Sequence, residues 1–400
     1  MSSLKITDGI YSVGVLNPSM RVFDIVMATE YGTSYNSYIV KGAEKTALIE
    51  TCHLTFFDAY LENIKEVCSL DEIDYIVLNH NEPDHSGSLR KLTDLMPKAQ
   101  VVASQAGAIY LKNITNKPQL QYKIVKDGET IDLGGKTLQF INAPFLHWPD
   151  SMFTWVKESK TLFSCDFLGT HYCEPLMLDS KITYQSLYEE AFKNYYDAIF
   201  SPFKPYVLKG IEKMEHLGAE FVCTSHGPVL TAQGSLAANI EKYRLWSTPT
   251  LHEYKRIPIF YCTAYGNTEQ LAKAMREGIL EVIPDAVVNM YNIIENDMHM
   301  LQAQLNDADA FLIGSPTINR DAVPPIWALL SHYDAISNTK KPCTAFGSFG
   351  WSGEAVPMIK TRLEGLKLSF FGEGYRINFV PSEAELTAAK AYAIEFAKTL

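Results

Sequence analysis

The segment that most constrains this chain is residues 80–85, where metal-binding side chains directly follow an apolar run. Residues 73–79 are predicted to form a buried strand, and His80, Glu82 and Asp84 alternate immediately after it. A hydrolytic zinc site would be expected to carry an imidazole at the position of Glu82. Carboxylate oxygens mixed with imidazole suit iron or manganese better than a nitrogen-rich set. The segment therefore predicts a redox-active metal site at the mouth of a strand.

Length and composition exclude several classes of protein. A chain of 400 residues is long for a single core, which favours two domains. The formal net charge of −11 argues against nonspecific binding to nucleic acid. The N-terminal segment lacks the layout of a signal peptide, and no apolar run approaches the roughly 20 residues of a membrane span. We expect a cytoplasmic protein that binds neither nucleic acid nor membrane.

The cysteine pattern shows whether the chain could contain its own thiolate-bound electron carrier. The chain has 7 cysteines and no Cys-x-x-Cys pair, so buried reduced thiols are expected. A fused rubredoxin or ferredoxin module would need clustered thiolates. The wide spacing of the cysteines in this chain excludes such a module. Any electrons must therefore come from another molecule.

Residues 1–250 are rich in short strands interspersed with helices, a pattern typical of a two-sheet core covered by helices. The predicted strands cover 10–14, 34–40, 46–50, 75–78, 100–103, 137–141, 152–156 and 161–165, and the predicted helices cover 56–67 and 88–96.

The pattern changes after Pro258, where strands and helices alternate regularly. Such alternation predicts a parallel, doubly wound sheet over residues 257–400, preceded by a linker at 246–256. The predicted strands cover 257–262, 286–291, 309–314 and 343–347, and the predicted helices cover 267–281, 297–306, 325–334, 354–365 and 383–398.

Three more ligand-type residues follow apolar strands elsewhere in the first domain. His147 lies shortly after the strand at 137–141, Asp166 ends the strand at 161–165, and His226 follows the apolar run 221–225. Strand ends meet at one edge of a sandwich, so residues distant in sequence can share one site there. A lone histidine at a strand end is usually only hydrogen-bonded, but coincidence is a poor explanation for the whole set.

A second site is predicted at the start of the second domain. Residues 263–269 follow its first strand and open a helix, and hydroxyls, backbone amides and a helix N-terminus together bind phosphate well. The loop has no lysine and no Walker-type spacing, which argues against a nucleoside triphosphate. The nearest similar segment, residues 134–137, lacks the upstream glycine and is predicted to lie in a hairpin, so it is discarded.

The order and spacing of these residues resemble the metallo-β-lactamase fold in its flavodiiron protein branch. The resemblance extends to residues 146–152 and 32–36 and covers the whole chain. It implies an α/β protein with an αββα sandwich over residues 1–250, followed by a flavodoxin-like doubly wound parallel sheet over 257–400. Hydrolytic relatives have Asp before Thr in an early strand, whereas this chain has Glu50, a carboxylate that can orient a ligand histidine.

The resemblance implies a diiron centre. One iron would take His80, Glu82 and His147, the other would take Asp84 and His226, and Asp166 would bridge the two. The family varies at the position of His85, so the resemblance leaves the coordination of that residue open. Bridging oxygen screens the repulsion between two metals about 3.5–4 Å apart.

The second domain resembles flavodoxins, with residues 266–269 as the matching core, which implies bound FMN. Tyr265 stands where flavodoxins usually have Thr, and Trp351 is the predicted stacking partner of the flavin ring. The implied FMN contacts are Thr263, Ala264, Tyr265, Gly266, Asn267, Thr268, Ser315, Pro316, Thr317, Asn319, Ser348, Phe349, Gly350, Trp351 and Gly353.

The resemblance implies an enzyme that takes electrons from an external donor, such as rubredoxin, through FMN to the diiron centre. It would reduce dioxygen to water, nitric oxide to nitrous oxide, or both, as a head-to-tail homodimer or a dimer of dimers. Two other interpretations stay open: a zinc-dependent hydrolase with an appended flavodoxin domain, and an electron-transfer flavoprotein with a structural metal. Gas preference, donor and reduction potentials are not encoded in any motif.

Overall fold

A computed structural model describes residues 3–25, 27–249 and 252–400, and the chain divides into two compact units, Met1–Thr248 and Pro249–Leu400. The predicted linker at 246–256 includes residues 250 and 251, and the N-terminal segment includes Met1 and Ser2. These four positions lie outside the described residues.

The first unit consists of short strands and helices in chain order. Its strands are β1 (Leu4–Thr7), β2 (Ile10–Ser12), β3 (Val15–Asn17), β4 (Val22–Phe23), β5 (Met27–Ala28), β6 (Thr33–Tyr35), β7 (Tyr38–Lys41), β8 (Thr46–Ile49), β9 (Ile73–Leu78), β10 (Gln100–Ser104), β11 (Tyr122–Val125), β12 (Thr130–Asp132), β13 (Thr137–Asn142), β14 (Met152–Val156), β15 (Thr161–Cys165), β16 (Phe221–Thr224) and β17 (Leu230–Thr231). Its helices are α1 (Phe57–Lys65), α2 (Pro83–Ser86), α3 (Leu89–Leu95), α4 (Leu111–Thr115), α5 (Gln185–Tyr195), α6 (Lys204–Glu215) and α7 (Leu236–Ser247).

Two sheets form the core of this unit. One has the strand order β1-β2-β7-β8-β9-β10-β11 and the other β12-β13-β14-β15-β16-β17. Successive side chains of a strand point to opposite faces of its sheet, so the two sheets contribute to three apolar layers, one between them and one on each outer face. In β8, Ala47 and Ile49 join the layer between the sheets, whereas Leu48 packs beneath α1, α3 and α4. Helices α5, α6 and α7 cover the far face of the second sheet. This is the αββα sandwich expected from the sequence.

The prediction of one continuous strand over residues 34–40 is wrong. Residues 34–40 divide between β6 and β7, with Asn36 in the gap. The backbone N–H of Asn36 donates to the carbonyl of Ser225 at 2.8 Å. Its side-chain amide donates to the carbonyls of Thr224 and Gly227, both at 2.8 Å. The strand breaks because Asn36 secures the loop that contains His226.

The second unit alternates strands and helices. Its strands are β18 (Ile259–Tyr261), β19 (Met290–Asn292), β20 (Phe311–Gly314), β21 (Thr317–Ile318), β22 (Asp321–Ala322), β23 (Pro342–Phe349), β24 (Ser369–Phe370) and β25 (Tyr375–Asn378). Its helices are α8 (Asn267–Val282), α9 (Met298–Asn306), α10 (Pro324–Ser331), α11 (Ala355–Gly365) and α12 (Glu383–Ala397).

The sheet of the second unit has the order β19-β18-β20-β23-β24, with β25 also paired to β23, and all these pairings are parallel. Helices α9, α10 and α11 cover one face, and α8 and α12 cover the other. This is the doubly wound sheet predicted from the alternation, with a strand order typical of flavodoxin-like folds. Strands β24 and β25 and the hairpin β21–β22 were not predicted from the sequence.

No helix in the described ranges has the length and apolar character needed to cross a membrane.

Candidate metal centre and flavin site

The predicted metal ligands lie at strand ends on one edge of the first unit. His80 follows β9, and Glu82 and Asp84 lie at the start of the one-turn helix α2. Asp166 follows β15, and His226 follows β16. His147 lies in the connection between β13 and β14, and His85 lies in α2. The structure therefore brings all the predicted ligands together.

One group of donor atoms forms around Glu82. Its Oε2 lies 3.1 Å from Nε2 of His80 and 3.2 Å from Nε2 of His147. Oδ2 of Asp166 lies 3.4 Å from the same nitrogen of His147 and 3.9 Å from that of His80. Two imidazoles and two carboxylates therefore surround one point.

A second group of donor atoms forms around Asp84. Its Oδ1 lies 3.3 Å from Nε2 of His85, and its Oδ2 lies 3.0 Å from Nε2 of His226. Oδ1 of Asp166 lies 3.2 Å from Nε2 of His85 and 3.4 Å from Nε2 of His226. Asp166 thus turns one oxygen toward each group, as a carboxylate that bridges two metals would.

Several of the donor atoms lack a hydrogen-bond partner. Both carboxylate oxygens of Asp84 and Nε2 of His85 are buried and have no hydrogen-bond partner among the described residues, although ion-pair distances there are as short as 3.0 Å. Buried polar atoms are normally satisfied, so unpaired ones need an explanation. A metal ion held by these atoms supplies it, and the mixed oxygen and imidazole set fits iron.

The outer nitrogens of two histidines are fixed by hydrogen bonds. Nδ1 of His80 lies 3.1 Å from Oδ1 of Asp150, and Nδ1 of His226 lies 2.7 Å from the carbonyl oxygen of Ser34. The carbonyl can only accept, so His226 donates through Nδ1. In both residues Nε2 is therefore the nitrogen left to hold a metal inside the cluster.

Electrostatics of the metal-free site indicate a need for positive charge. Burial opposes protonation of His80, but hydrogen bonds to Asp150 and Glu82 outweigh it and raise its pKa to about 10. Burial also opposes ionisation of Asp166, yet the charge of His85 and hydrogen bonds to His147 and His85 hold its pKa well below the usual range. Without a metal, protons on the imidazoles balance the negative charge of these buried carboxylates. A bound metal would supply that positive charge instead.

Two buried residues at this site, Tyr195 and His171, were not predicted from the sequence. Tyr195, at the end of α5, donates its hydroxyl hydrogen to Oδ1 of Asp166 at 3.1 Å. The ring of His171 lies 4.9 Å from those of Tyr195 and His226, and Nδ1 of His171 lies 2.8 Å from the hydroxyl of Thr33. Burial lowers the pKa of His171 far below its usual value, so this imidazole is neutral. Neither residue ends a predicted strand, so strand-end patterning could not find them.

Two further carboxyls lie near the cluster. Glu50 is buried behind it and accepts from the backbone N–H of Asn79 at 2.9 Å. Burial raises the pKa of Glu50 to about 8. Asp24, in the turn between β4 and β5, is more exposed; partial burial, then a hydrogen bond to Glu82 and its negative charge, raise the pKa of Asp24 to about 6. Glu50 was anticipated from the sequence, and Asp24 was not.

The predicted phosphate loop lies at the N-terminus of α8 in the second unit. Gly266 adopts a φ of 82°, which turns the chain into the helix at Asn267. The buried hydroxyl of Thr268 lies 3.1 Å from that of Ser348. The hydroxyl of Thr263 is buried and has no hydrogen-bond partner among the described residues. Hydroxyls gathered at a helix N-terminus fit a phosphate group.

Beside this unit's sheet lies a cavity of about 330 Å³ formed by two loops. Its lining consists of Thr317, Ile318, Asn319, Arg320, Gly350, Trp351, Ser352 and Glu354. Four of these were predicted as flavin contacts, namely Thr317, Asn319, Gly350 and Trp351. The Trp351 side chain is 94% exposed, which leaves its ring free to cover a planar ligand.

The other predicted flavin contacts do not line this cavity. Ser315 is buried, and its hydroxyl donates to the carbonyl of Pro316 at 2.8 Å. The ring of Phe349 packs against Gly353. Ala264 lies in the phosphate loop, where Tyr265 is 92% exposed. Arg320 and Glu354 line the cavity but were not predicted as flavin contacts, because neither belongs to the glycine- and hydroxyl-rich pattern.

Family models match both units. Residues 33–227 match the ODP family beta lactamase model, and residues 259–391 match the Flavodoxin model.

Two curated relatives illustrate the range of similarity. The chain is 55% identical to the Flavo-diiron protein FprA2 of Clostridium acetobutylicum, and the alignment covers 100% of each chain. It is 34% identical to the Anaerobic nitric oxide reductase flavorubredoxin of Vibrio vulnificus, over 90% of this chain and 73% of that protein.

Solved structures agree with these relatives. The flavodiiron protein of Giardia intestinalis is 29% identical, with a TM-score of 0.69 and coverage of 100% of this chain and 96% of that one. The rubredoxin oxygen:oxidoreductase of Desulfovibrio gigas is 28% identical, with a TM-score of 0.71 and coverage of 100% and 98%.

Proposed function

The chain belongs to the flavodiiron protein family, and from that premise we propose that it passes electrons from an external donor through FMN to a diiron centre. There it reduces dioxygen to water, nitric oxide to nitrous oxide, or both. The observation that carries the proposal is the position of Asp166, which turns one carboxylate oxygen toward each of two donor groups. A structural site for one metal would need no such bridge.

The two cofactors are assigned to different parts of the chain. Family membership and the flavodoxin match imply a diiron centre and FMN. We assign the irons to the domain at residues 1–250 and the FMN to the domain at 257–400.

The donor groups suggest how the irons are held. His80, Glu82 and His147 would hold one iron, Asp84, His85 and His226 would hold the other, and Asp166 would bridge them. We include His85 because its Nε2 is buried, unpaired and 3.2 Å from the bridging carboxylate. The bound centre would supply electrons and binding positions for a diatomic gas.

The protein's own residues prepare this pocket. Tyr195 donates a hydrogen bond to Asp166 and so fixes the orientation of the bridging carboxylate. The rings of Phe200 and Phe203 lie 6.2 and 6.4 Å from that of His147, and the ring of Trp148 lies 5.0 Å from that of His80. These aromatic walls exclude water, which strengthens electrostatic interactions inside the site.

The flavin would be held by its phosphate and its ring at separate places. Thr263, Asn267, Thr268 and Ser348 surround the phosphate position at the start of α8, with Ala264, Tyr265 and Gly266 in the same loop. The cavity beside Trp351 would take the flavin ring, with Ser315, Pro316, Phe349 and Gly353 shaping its two loops.

The partners follow from the family. The similar enzyme of Desulfovibrio gigas is a rubredoxin oxygen:oxidoreductase, and we propose rubredoxin or a similar small reduced carrier as the donor for this chain. We also propose a head-to-tail homodimer, or a dimer of dimers, in which the FMN of one subunit serves the irons of the other. The cytoplasmic location stays a prediction.

Metal selectivity tests the proposal. After anaerobic iron supply, elemental analysis should find about two irons per chain, and the reduced protein should consume dioxygen or nitric oxide. Glu82→His should favour zinc and abolish gas reduction, because it replaces an oxygen donor by imidazole. The same substitution at Glu62, exposed on α1, is the matched control and should change neither property. Two zincs per wild-type chain, no uptake of iron and a hydrolytic activity would instead establish the hydrolase.

A further inference from the structure

An arginine occupies a backbone position that favours glycine at the tip of the hairpin β21–β22. Ile318 pairs with Asp321, so Asn319 and Arg320 form a two-residue turn with φ angles of 54° and 61°. Turns of this kind favour Asn followed by Gly, because both positions require positive φ. Asn tolerates that conformation, whereas a long side chain such as Arg is strained in it. A residue that opposes its local preference points to a role for its side chain.

Arg320 lines the cavity assigned to the flavin ring, and so does one residue of opposite charge. The Glu354 carboxylate accepts a hydrogen bond from the Ser352 hydroxyl at 2.5 Å through Oε1. Its Oε2 is buried and has no hydrogen-bond partner among the described residues. Arg320 and Glu354 are the charged residues of the cavity lining. Two loops therefore present one positive and one negative charge to the same space.

The two loops are fixed to their surroundings. The indole N–H of Trp327 donates to Oδ1 of Asp321 at 3.1 Å, which holds the base of the hairpin. The backbone N–H of Ala355 donates to the Thr317 hydroxyl at 3.3 Å, which joins the hairpin to the start of α11 beside Glu354. The backbone that carries each of the two charges is therefore held in place beside the cavity.

We propose that Arg320 and Glu354 tune the reduction potential of the bound flavin in opposite directions. The inference rests on the proposed function, which places the FMN ring in this cavity. Each electron that FMN accepts from the donor adds one negative charge until a proton is taken up from water. A nearby cation stabilises the more negative, reduced flavin, and a nearby anion destabilises it. Arg320 therefore raises the potential, and Glu354 lowers it.

Spectroelectrochemical titration of the FMN-loaded, full-length protein tests this directly. Arg320→Gln should lower the potential and Glu354→Gln should raise it, and the double variant should lie between them. The ratio of the dissociation constants of oxidised and reduced FMN should change about three- to tenfold in each single variant. That corresponds to about 30–60 mV, since tenfold is 59 mV for a one-electron couple. The same ratio can be measured by reconstituting FMN-free protein, so a variant with weakened FMN affinity is still informative.

A second variant separates the charge of Arg320 from its backbone strain. Arg320→Gly removes the charge and relaxes the turn, so the potential should fall as in Arg320→Gln while thermal stability stays equal or rises. Arg320→Lys should keep most of the wild-type potential. Lys398→Gln removes a cation after α12, outside the cavity lining, and should leave the potential unchanged.

Two results would overturn the inference. One is a potential in Arg320→Gln and Arg320→Gly no lower than in Lys398→Gln. The other is a shift in the same direction for Arg320→Gln and Glu354→Gln. If the wild-type protein binds no FMN at all, the proposed function fails instead. If the protein binds FMN and reduces gas, but substitution of neither Arg320 nor Glu354 changes the flavin reduction potential, only the tuning role fails.

Discussion

At the scale of single residues, the predicted metal ligands were accessible from sequence because they follow recognisable apolar strands. Asp166 comes directly after β15, and His80 and His226 each come two residues after the end of their strands, β9 and β16. Tyr195 lies at the end of a helix that the sequence reasoning did not predict, and His171 lies in a long connection. Such residues reach the site only through tertiary packing, which local periodicity does not encode. Arg320 was missed for another reason, because its significance lies in a backbone angle.

Asp150 should control metal affinity without binding the metal. It accepts from Nδ1 of His80 and from the backbone N–H of Asn81 at 2.8 Å, so it orients that imidazole. Loss of such a partner typically costs about 10–100-fold in metal affinity. We expect Asp150→Ala to weaken iron binding by that factor in a competition titration against a chelator. Asp94→Ala, at an exposed carboxylate paired with Lys117, is the control and should bind iron like the wild type.

Glu50 should make the metal-free protein less stable as pH rises. Burial raises its pKa from 4.5 to about 8, so between those values the folded state binds a proton that the unfolded state has released. Stability contributed by that proton is present below about pH 4.5 and is lost as pH rises through about 8. Each pKa unit corresponds to about 1.4 kcal/mol, so the change from 4.5 to about 8 sets a loss of up to about 5 kcal/mol.

Denaturant unfolding of the metal-free protein at pH 5 and pH 8 measures this loss. Glu50→Gln has no proton to release and should show a smaller decrease across the same interval. An equal decrease in both proteins would show that other groups cause it.

At the scale of elements, the sequence predicted long periodic helices and buried strands better than short pieces. The predicted helices at 267–281 and 383–398 agree closely with α8 and α12. The strand at 34–40 failed because its middle binds another loop through side-chain hydrogen bonds. The short strands β24 and β25 escaped because a glycine-containing turn separates them and each offers few apolar residues.

Helix packing in the second unit predicts opposite effects for two glycine substitutions. A Cβ at Gly278 of α8 would lie 2.4 Å from the carbonyl oxygen of Lys390 in α12, whereas a Cβ at Gly365 meets nothing within 4 Å. We expect Gly278→Ala to destabilise this unit by about 2 kcal/mol through forced separation of the helices. Gly365→Ala should stabilise it by up to about 1 kcal/mol through lower backbone entropy in the unfolded chain. Thermal unfolding measures both, and equal effects would contradict the close approach of α8 and α12.

At the scale of the whole molecule, the central question is how electrons pass between the two cofactors. In a head-to-tail dimer, two defective chains can complement each other. Asp166→Asn would lose the bridging carboxylate but keep FMN. Thr268→Ala combined with Asn267→Ala would keep iron but lose FMN, since it removes groups at the phosphate position. Each heterodimer then contains one complete pair of FMN and diiron centre.

Co-expression should therefore restore a substantial fraction of gas-reducing activity, while each variant alone stays inactive. Purified heterodimer with full iron in one chain and full FMN in the other provides the measurement. No activity in that species would refute transfer between subunits and support a path within one chain.

Electrons in the proposed enzyme leave the flavin for a gas only through the irons. Rapid mixing of fully reduced protein with dioxygen, and separately with nitric oxide, tests this by following the absorbance of FMN. We predict fast re-oxidation of FMN by at least one gas in the wild type, and much slower re-oxidation in Asp166→Asn carrying the same amount of FMN. Equal rates in the two proteins with both gases would contradict the proposed function, because the flavin would then react without the bridged centre.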